Sequence, residues 1–174
     1  MFDTIGGVPL HPLIVHAVVV LVPLAALLLL LAALSPRVRG WAGILTPVLA
    51  TVALALVPFA TQSGEALEER VVETPLVEEH AELGESLLFF VLALTVAAWA
   101  LWFLDRRARA AASTDGRGAA PAARSGLLLA VMAFSVVAVL ATTVQVVRIG
   151  HSGATATWQE TGQQAVPAGD GDDD

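Results

Sequence analysis

The stretch "LIVHAVVVLVPLAALLLLLAAL", residues 13–34, contains 22 residues and no Asp, Glu, Lys or Arg. An α-helix needs about 20 predominantly apolar residues to cross the hydrocarbon core of a bilayer. A helix buried in a soluble protein usually keeps a polar face, which this stretch lacks. The sequence therefore predicts a membrane-spanning helix here, with His16 as its only ionisable side chain.

Three further runs free of Asp, Glu, Lys and Arg follow, at residues 41–60, 87–104 and 126–147. Only 14% of the chain is charged, against about 25% in an ordinary soluble domain, and the mean hydropathy is +0.75. We predict an all-α integral membrane protein, an antiparallel four-helix bundle within residues 1–162. Residues 163–174 have no apolar period and are predicted to be a disordered acidic tail.

The first run is interpreted as a retained span and not as a signal peptide. A signal peptide begins with a basic region and has an apolar core of about 7–15 residues. The residues before this run, "MFDTIGGVPLHP", contain no Lys or Arg and include Asp3. The first arginines, Arg37 and Arg39, follow the run.

Charge predicts the orientation of the spans. The linkers at residues 35–40 and 105–125 carry +2 and +3, whereas Asp3, the 61–85 loop and the tail from Arg148 together carry −12. By the positive-inside rule both linkers lie in the cytoplasm, and the acidic loop and both termini are extracytoplasmic. We therefore expect a multi-pass protein of the cytoplasmic membrane, surrounded by lipid.

A helical hairpin is predicted between the second and third spans. Thr74 and Pro75 are typical of a helix start, with Thr as the N-cap and Pro at the first helical position. The second helix is expected to continue past Ala60 through "TQSGEALEER". The linker at residues 110–126, rich in Ala, Gly and Ser, is expected to be flexible. We find no internal repeat.

All four histidines of the chain, His11, His16, His80 and His151, fall on the predicted extracytoplasmic side. An ionisable group inside a span is a functional hypothesis by default, so we expect His16 to be buried between helices and paired with a cofactor or another histidine. His11 and His16 differ by about 140° around a regular helix and meet at one centre only if the helix starts irregularly at Pro12.

Three of the four histidines also have a structural alternative. In this alternative His11 only caps a helix, and His80 is a solvated residue in a stretch rich in Glu. His151 is an ordinary polar residue in a turn containing Gly150 and Gly153.

Three motifs carry a resemblance to a known family: "HPLIVH" at 11–16, "HAELG" at 80–84 and "GHSGATATWQETG" at 150–162. Over residues 8–162 the chain resembles the bacterial four-span membrane family catalogued as domain of unknown function 2231. It departs from that family at Ala17 and Val18, where an aromatic residue and Pro are usual, and at Trp158, where Tyr is common. The resemblance implies no settled biochemical function, but relatives fused to cytochrome c-like modules imply a redox setting.

Two functional hypotheses remain. In the first, the four histidines bind a b-type haem or a transition metal ion (copper, iron or zinc) and pass electrons to an extracytoplasmic redox partner. Arg148 then neutralises a haem propionate, and Glu65 or Glu69 orients a ligand imidazole. In the second, the chain is a non-catalytic accessory or assembly subunit of a membrane complex.

Other functions are disfavoured. The chain has no cysteine, which rules out thiolate metal sites, iron–sulfur clusters and covalent c-type haem attachment. No nucleophile, base and orienting acid stand at the spacing of a hydrolase, so whether the protein is an enzyme stays open. Transport is disfavoured because Ser135, Thr142, Thr143 and Gln145 all lie on one helix. No nucleic-acid partner is expected.

Overall fold

The computed structural model describes residues 4–5, 8–71, 74–114 and 122–163. Two strands of two residues each pair antiparallel with Ile5 opposite Val8, and five helices follow. In chain order these elements are β1 Thr4–Ile5, β2 Val8–Pro9, α1 Leu10–Leu34, α2 Pro36–Ala42, α3 Leu45–Glu68, α4 Pro75–Thr114 and α5 Ala122–Gln163. The helices α1, α3, α4 and α5 are long and apolar enough to cross a membrane, which confirms the predicted four spans.

The four long helices form an antiparallel bundle in which α1 and α4 lie diagonally opposite each other. Both α1 and α4 pack against α3 and α5. We call the end formed by the start of α1, the α3–α4 connection and the end of α5 the hairpin end. We call the opposite end, which contains α2, the arginine end.

The core is packed differently in its two halves. Eight of the twelve buried members of the cluster towards the arginine end are alanines, including Ala33, Ala50 and Ala97. The cluster towards the hairpin end contains larger side chains, such as Val22, Leu87 and Val91, and its buried members all come from α1, α3 and α4. Small residues let helix backbones approach closely. The helices are therefore tightly packed in the arginine half and leave space in the hairpin half.

Polar side chains within the spans are satisfied by neighbouring helices. Gln145 is buried on α5 and donates to the Ser86 Oγ of α4 at 2.7 Å. Thr95 of α4 donates to the carbonyl of Ala50 on α3 at 3.1 Å. Such bonds fix the helices to one another in an environment without water.

The arginine end is closed by α2 and Arg39. The Ser35 Oγ accepts a hydrogen bond from the Val38 amide and Pro36 is the first helical residue, so the linker begins a helix. The second span starts at Leu45, and the predicted start at residue 41 was wrong because Trp41 belongs to α2. The buried guanidinium of Arg39 donates to the Ala32 carbonyl at 2.8 Å, which caps the last turn of α1.

The predicted hairpin start is confirmed. The Thr74 Oγ1 accepts from the Val77 amide at 3.3 Å, and α4 starts at Pro75. The helix α3 continues through Glu68, as predicted.

Two connections differ from expectation. The linker at residues 110–126 is helical up to Thr114 and again from Ala122, so its predicted flexibility was wrong for these parts. The expected turn at Gly150 and Gly153 was also wrong, since α5 is continuous to Gln163. The tail prediction for residues 164–174 lies outside the described residues.

Candidate functional site

A cavity of about 540 Å³ lies between α1, α3, α4 and α5 in the hairpin half of the bundle. Its floor is formed by apolar side chains of the hairpin-half core, among them Val18, Val57 and Leu87. The core below this space contains fewer alanines than the other half of the bundle, where small residues allow close helix approach. The walls contain three of the four histidines, His11, His16 and His80.

His11 lies in the first turn of α1, is half-buried and contacts α3. Its Nδ1 is 3.1 Å from the Ala60 carbonyl oxygen and 3.2 Å from the Ser63 Oγ. The Ser63 hydroxyl donates its own proton to the Ala60 carbonyl at 3.0 Å. Both neighbours of Nδ1 are therefore acceptors, so Nδ1 carries the proton and Nε2 keeps its lone pair.

His80 lies in the second turn of α4, is half-buried and contacts α5. Its Nδ1 is 3.0 Å from the Ser152 Oγ, and the Ser152 hydroxyl donates to the Ile149 carbonyl at 3.0 Å. With the hydroxyl proton directed to the Ile149 carbonyl, the Ser152 Oγ accepts from Nδ1 of His80, and we assign the ring proton to Nδ1 on this basis. His80 therefore has the same tautomer as His11, with Nε2 as the basic nitrogen.

A glycine makes room for each ring. A Cβ at Gly64 would lie 3.1 Å from the Cε1 of His11, and one at Gly153 would lie 2.8 Å from the Cε1 of His80. In both cases Nε2 is the ring nitrogen farther from that position, at 3.9 Å for His11 and 3.4 Å for His80. Each imidazole thus rests on a helix backbone through its Nδ1 side.

The two halves of the bundle repeat this arrangement. A histidine near the start of one helix (α1 or α4) packs on a Ser-Gly pair near the end of the next long helix (α3 or α5). The pairs are Ser63 with Gly64 and Ser152 with Gly153. The repeated Ser-Gly dipeptide was the available sequence signal.

His11 and His80 share the cavity and are held by diagonally opposite helices. They are close enough that a positive charge on one would repel a positive charge on the other. Within the residues that the structure describes, neither Nε2 makes a hydrogen bond. The cavity therefore contains two imidazoles, each held through its Nδ1, whose Nε2 atoms have no hydrogen-bond partner among the described residues.

His16 is not buried, contrary to expectation. It is exposed at the rim of the cavity, and its Nδ1 donates to the Pro12 carbonyl of the same helix. The helix α1 is regular from Leu10, so His11 and His16 lie on different faces, as their spacing requires.

The structure does not bring the other predicted site residues to the two half-buried imidazoles. His151 and Arg148 are exposed on α5 and do not line the cavity. Glu65 is exposed at the cavity wall, and Glu69 is exposed outside it. Among the described residues, no group of three or more His, Asp or Glu side chains is placed to hold a metal ion. This gives the four-histidine metal centre no support.

Comparison with known proteins returns one family. The model of a family described as predicted membrane protein (DUF2231) matches residues 7–165. No curated protein and no solved structure matches the chain.

Proposed function

The chain belongs to the DUF2231 family of predicted membrane proteins, and we propose that within the membrane it binds one b-type haem between His11 and His80 and serves in electron transfer. The observation that carries the proposal is the double arrangement of imidazole, serine and glycine around one cavity.

The hydrogen bonds of both imidazoles suit an iron ligand. A histidine that ligates a metal almost always donates its other ring N–H to an oxygen, which fixes the tautomer and the ring orientation. Nδ1 of His11 donates to oxygens of α3, and Nδ1 of His80 donates to the Ser152 Oγ of α5. Each Nε2 is then a neutral, oriented donor atom.

A haem fits these residues better than a metal ion alone. An ion held only by protein needs at least three or four ligands, and the described residues offer no such group. A porphyrin provides four of the iron ligands itself, so the protein would need to provide only one or two more. A cavity of about 540 Å³ with largely apolar walls falls within the usual range of about 300–1,000 Å³ for cofactor sites.

Two histidine ligands favour electron transfer. A haem supplies one-electron redox chemistry when bound, and its reactivity is set by the axial ligands and the surrounding pocket. His11 and His80 would hold the haem, and the haem would then supply one-electron transfer. We further propose that Arg148, which precedes the lining residues Ile149 and Gly150, pairs with a haem propionate. Glu65, at the rim of the cavity, is proposed to orient a ligand imidazole.

The charge pattern supports placing this site on the extracytoplasmic side. The arginine-rich linkers lie at the end of the bundle opposite the cavity, and the positive-inside rule assigns that end to the cytoplasm. The electron partner is then an extracytoplasmic protein or a membrane complex exposed there.

An optical and magnetic spectrum of the purified protein tests the proposal. Oxidised and dithionite-reduced samples should show the bands of low-spin haem, and electron paramagnetic resonance should identify two imidazole ligands. The substitutions His11→Ala and His80→Ala should each remove the low-spin signal. His151→Ala, a matched change outside the cavity, should retain it. A folded protein that contains no haem as purified, and that takes up none when haem is added, would contradict the proposal. Stoichiometric copper or zinc in that protein would favour a metal ion instead.

A further inference from the structure

The cavity is open along the seam between α1 and α5. Several of its lining residues are themselves exposed, which marks the positions where the wall is interrupted. They are Pro12, His16 and Val19 on α1 and Gly150, Ala154 and Thr157 on α5, while Glu65, Val71 and Glu85 are exposed at the hairpin side of the cavity. In the hairpin half Gln145 and Ala156 of α5 are buried but do not belong to the buried apolar cluster, whereas Ala138 and Val139 belong to that of the other half. The seam is therefore packed in the arginine half and open beside the cavity.

The opening lies at the depth of the membrane surface. His16 is about 9 Å along α1 from its first residue and stands within the apolar run that begins at residue 13. The glutamates of the hairpin begin further out, at Glu65. We therefore expect a molecule that enters between His16 and Gly150 to come from the bilayer close to its surface, at the level of the exposed Arg148 of α5.

His16 is a positioned proton acceptor at this opening. Its Nδ1 donates to the Pro12 carbonyl, so Nε2 keeps its lone pair. An ionisable side chain at such a depth costs free energy, which makes it a functional hypothesis by default. The haem proposal does not use His16.

We propose that a quinol docks at this opening, with a ring hydroxyl bound to the His16 Nε2 and the isoprenoid tail in the lipid. The inference rests on the proposed haem, which is its electron acceptor. Quinols match the site because they reside in the bilayer, present hydroxyl groups on an apolar ring and carry reducing equivalents. The small side chains of Gly150 and Ala154 leave room for a flat ring on the α5 side.

The reaction balances as the oxidation of one quinol to one quinone, with release of two electrons and two protons. The two electrons would pass one at a time to a haem held by His11 and His80, and from there to two molecules of an extracytoplasmic one-electron acceptor protein. Each proton passes from a ring hydroxyl to the His16 Nε2 and then to the aqueous phase beyond the rim. His16 returns to its starting tautomer after each release.

Anaerobic stopped-flow reduction of the holoprotein by a short-chain quinol tests the chemistry. His16→Leu should slow quinol-driven haem reduction by about 100-fold, the usual contribution of a positioned base. Its haem content and dithionite-reduced spectrum should not change, since His16 is not among the proposed ligands. His151→Leu, the same change outside the cavity, should leave the rate unaltered. Reduction of the His16→Leu protein at the wild-type rate would overturn the proposal.

Photolabelling with an azidoquinone tests docking without relying on haem. Mass spectrometry should locate the label on α1 near His16 and on α5 near Gly150, and excess unlabelled quinone should prevent labelling. Labelling spread evenly over the lipid-facing helices, or unaffected by competitor, would show a lipid groove only and overturn the docking site. Absence of haem defeats the proposed function, whereas the labelling result decides the docking site by itself.

Discussion

The imidazole of His80 lies so close to the backbone of Gly153 that a Cβ at position 153 would stand 2.8 Å from its Cε1. Side-chain carbon atoms essentially never approach this closely, and the obstructing group is a ring that is itself held by Ser152. The glycine is therefore what allows the His80 ring to rest on the backbone of α5.

Gly153→Ala should displace His80 and weaken cofactor retention. Overpacking a filled site typically costs about 1–3 kcal/mol, which the protein can relieve only by moving the ring. We expect lower haem occupancy after purification and a lower thermal transition. Gly126→Ala is the control on the same helix, because a Cβ there meets nothing within 4 Å. Equal haem occupancy in the two variants would contradict the close contact.

Ser152→Ala should impair the site more than Ser63→Ala. Nδ1 of His80 donates to the Ser152 Oγ, whereas Nδ1 of His11 has the Ala60 carbonyl in addition to Ser63. Loss of an outer partner of a ligating histidine typically lowers metal affinity by about 10–100-fold. A haem titration of the apoprotein should show a loss of that size for Ser152→Ala and a few-fold loss for Ser63→Ala. The reverse order would show that these bonds do not orient the ligands.

Arg39→Met should destabilise the bundle without changing the cofactor. The buried guanidinium donates to the carbonyls of Ala32 and Ala33 and lies 4.0 Å from Asp105. Hydrogen bonds from charged groups are worth about 1.5–3 kcal/mol, so the free energy of unfolding in detergent should fall by about that amount. The exposed Arg37 on the same helix is the control, and Arg37→Met should change stability by less than about 0.5 kcal/mol. A loss of haem from folded Arg39→Met protein would show coupling between the two ends.

Reporter fusions test the orientation. A periplasmic reporter attached after Asp174 should be active outside the cytoplasmic membrane, and a cytoplasmic reporter inserted near Gly118 should be active inside. Both expectations follow from the arginines of the two linkers. Reversal of either activity would place the cavity on the cytoplasmic side and exclude an extracytoplasmic electron partner.

The spans could be predicted from the sequence because the length and hydropathy of an apolar run are local properties. The start of α4 was also local, since Thr74 and Pro75 form a cap and first turn. Ser35 and Pro36 form the same N-cap and first helical position at the start of α2. This signal was missed because the linker at residues 35–40 was interpreted from its charge alone. The predicted burial of His16 was wrong because α1 is apolar on all faces. The sequence pattern of such a helix does not show which face points towards the bundle interior.

The site itself depended on contacts that no local pattern contains. His11 meets Ser63 across 52 positions and His80 meets Ser152 across 72. The "GHSG" motif drew attention to His151, whereas the residues that contact a cavity histidine are Ser152 and Gly153. Helical phase explains the difference: His151 points outward from α5, and the two residues after it face α4.

The repeated histidine and Ser-Gly pair has a consequence for how such a bundle can originate. The α1–α3 and α4–α5 pairs both begin and end at the hairpin end, so they are related as parallel repeats about an axis along the membrane normal. A single two-helix unit that meets its own copy across a two-fold axis already places two fixed imidazoles on diagonal helices. Once the two units are joined in one chain, they no longer have to be identical. In this chain the first unit contains the α2 connection and a second acceptor for its imidazole, while the second has longer helices, 40 and 42 residues against 25 and 24.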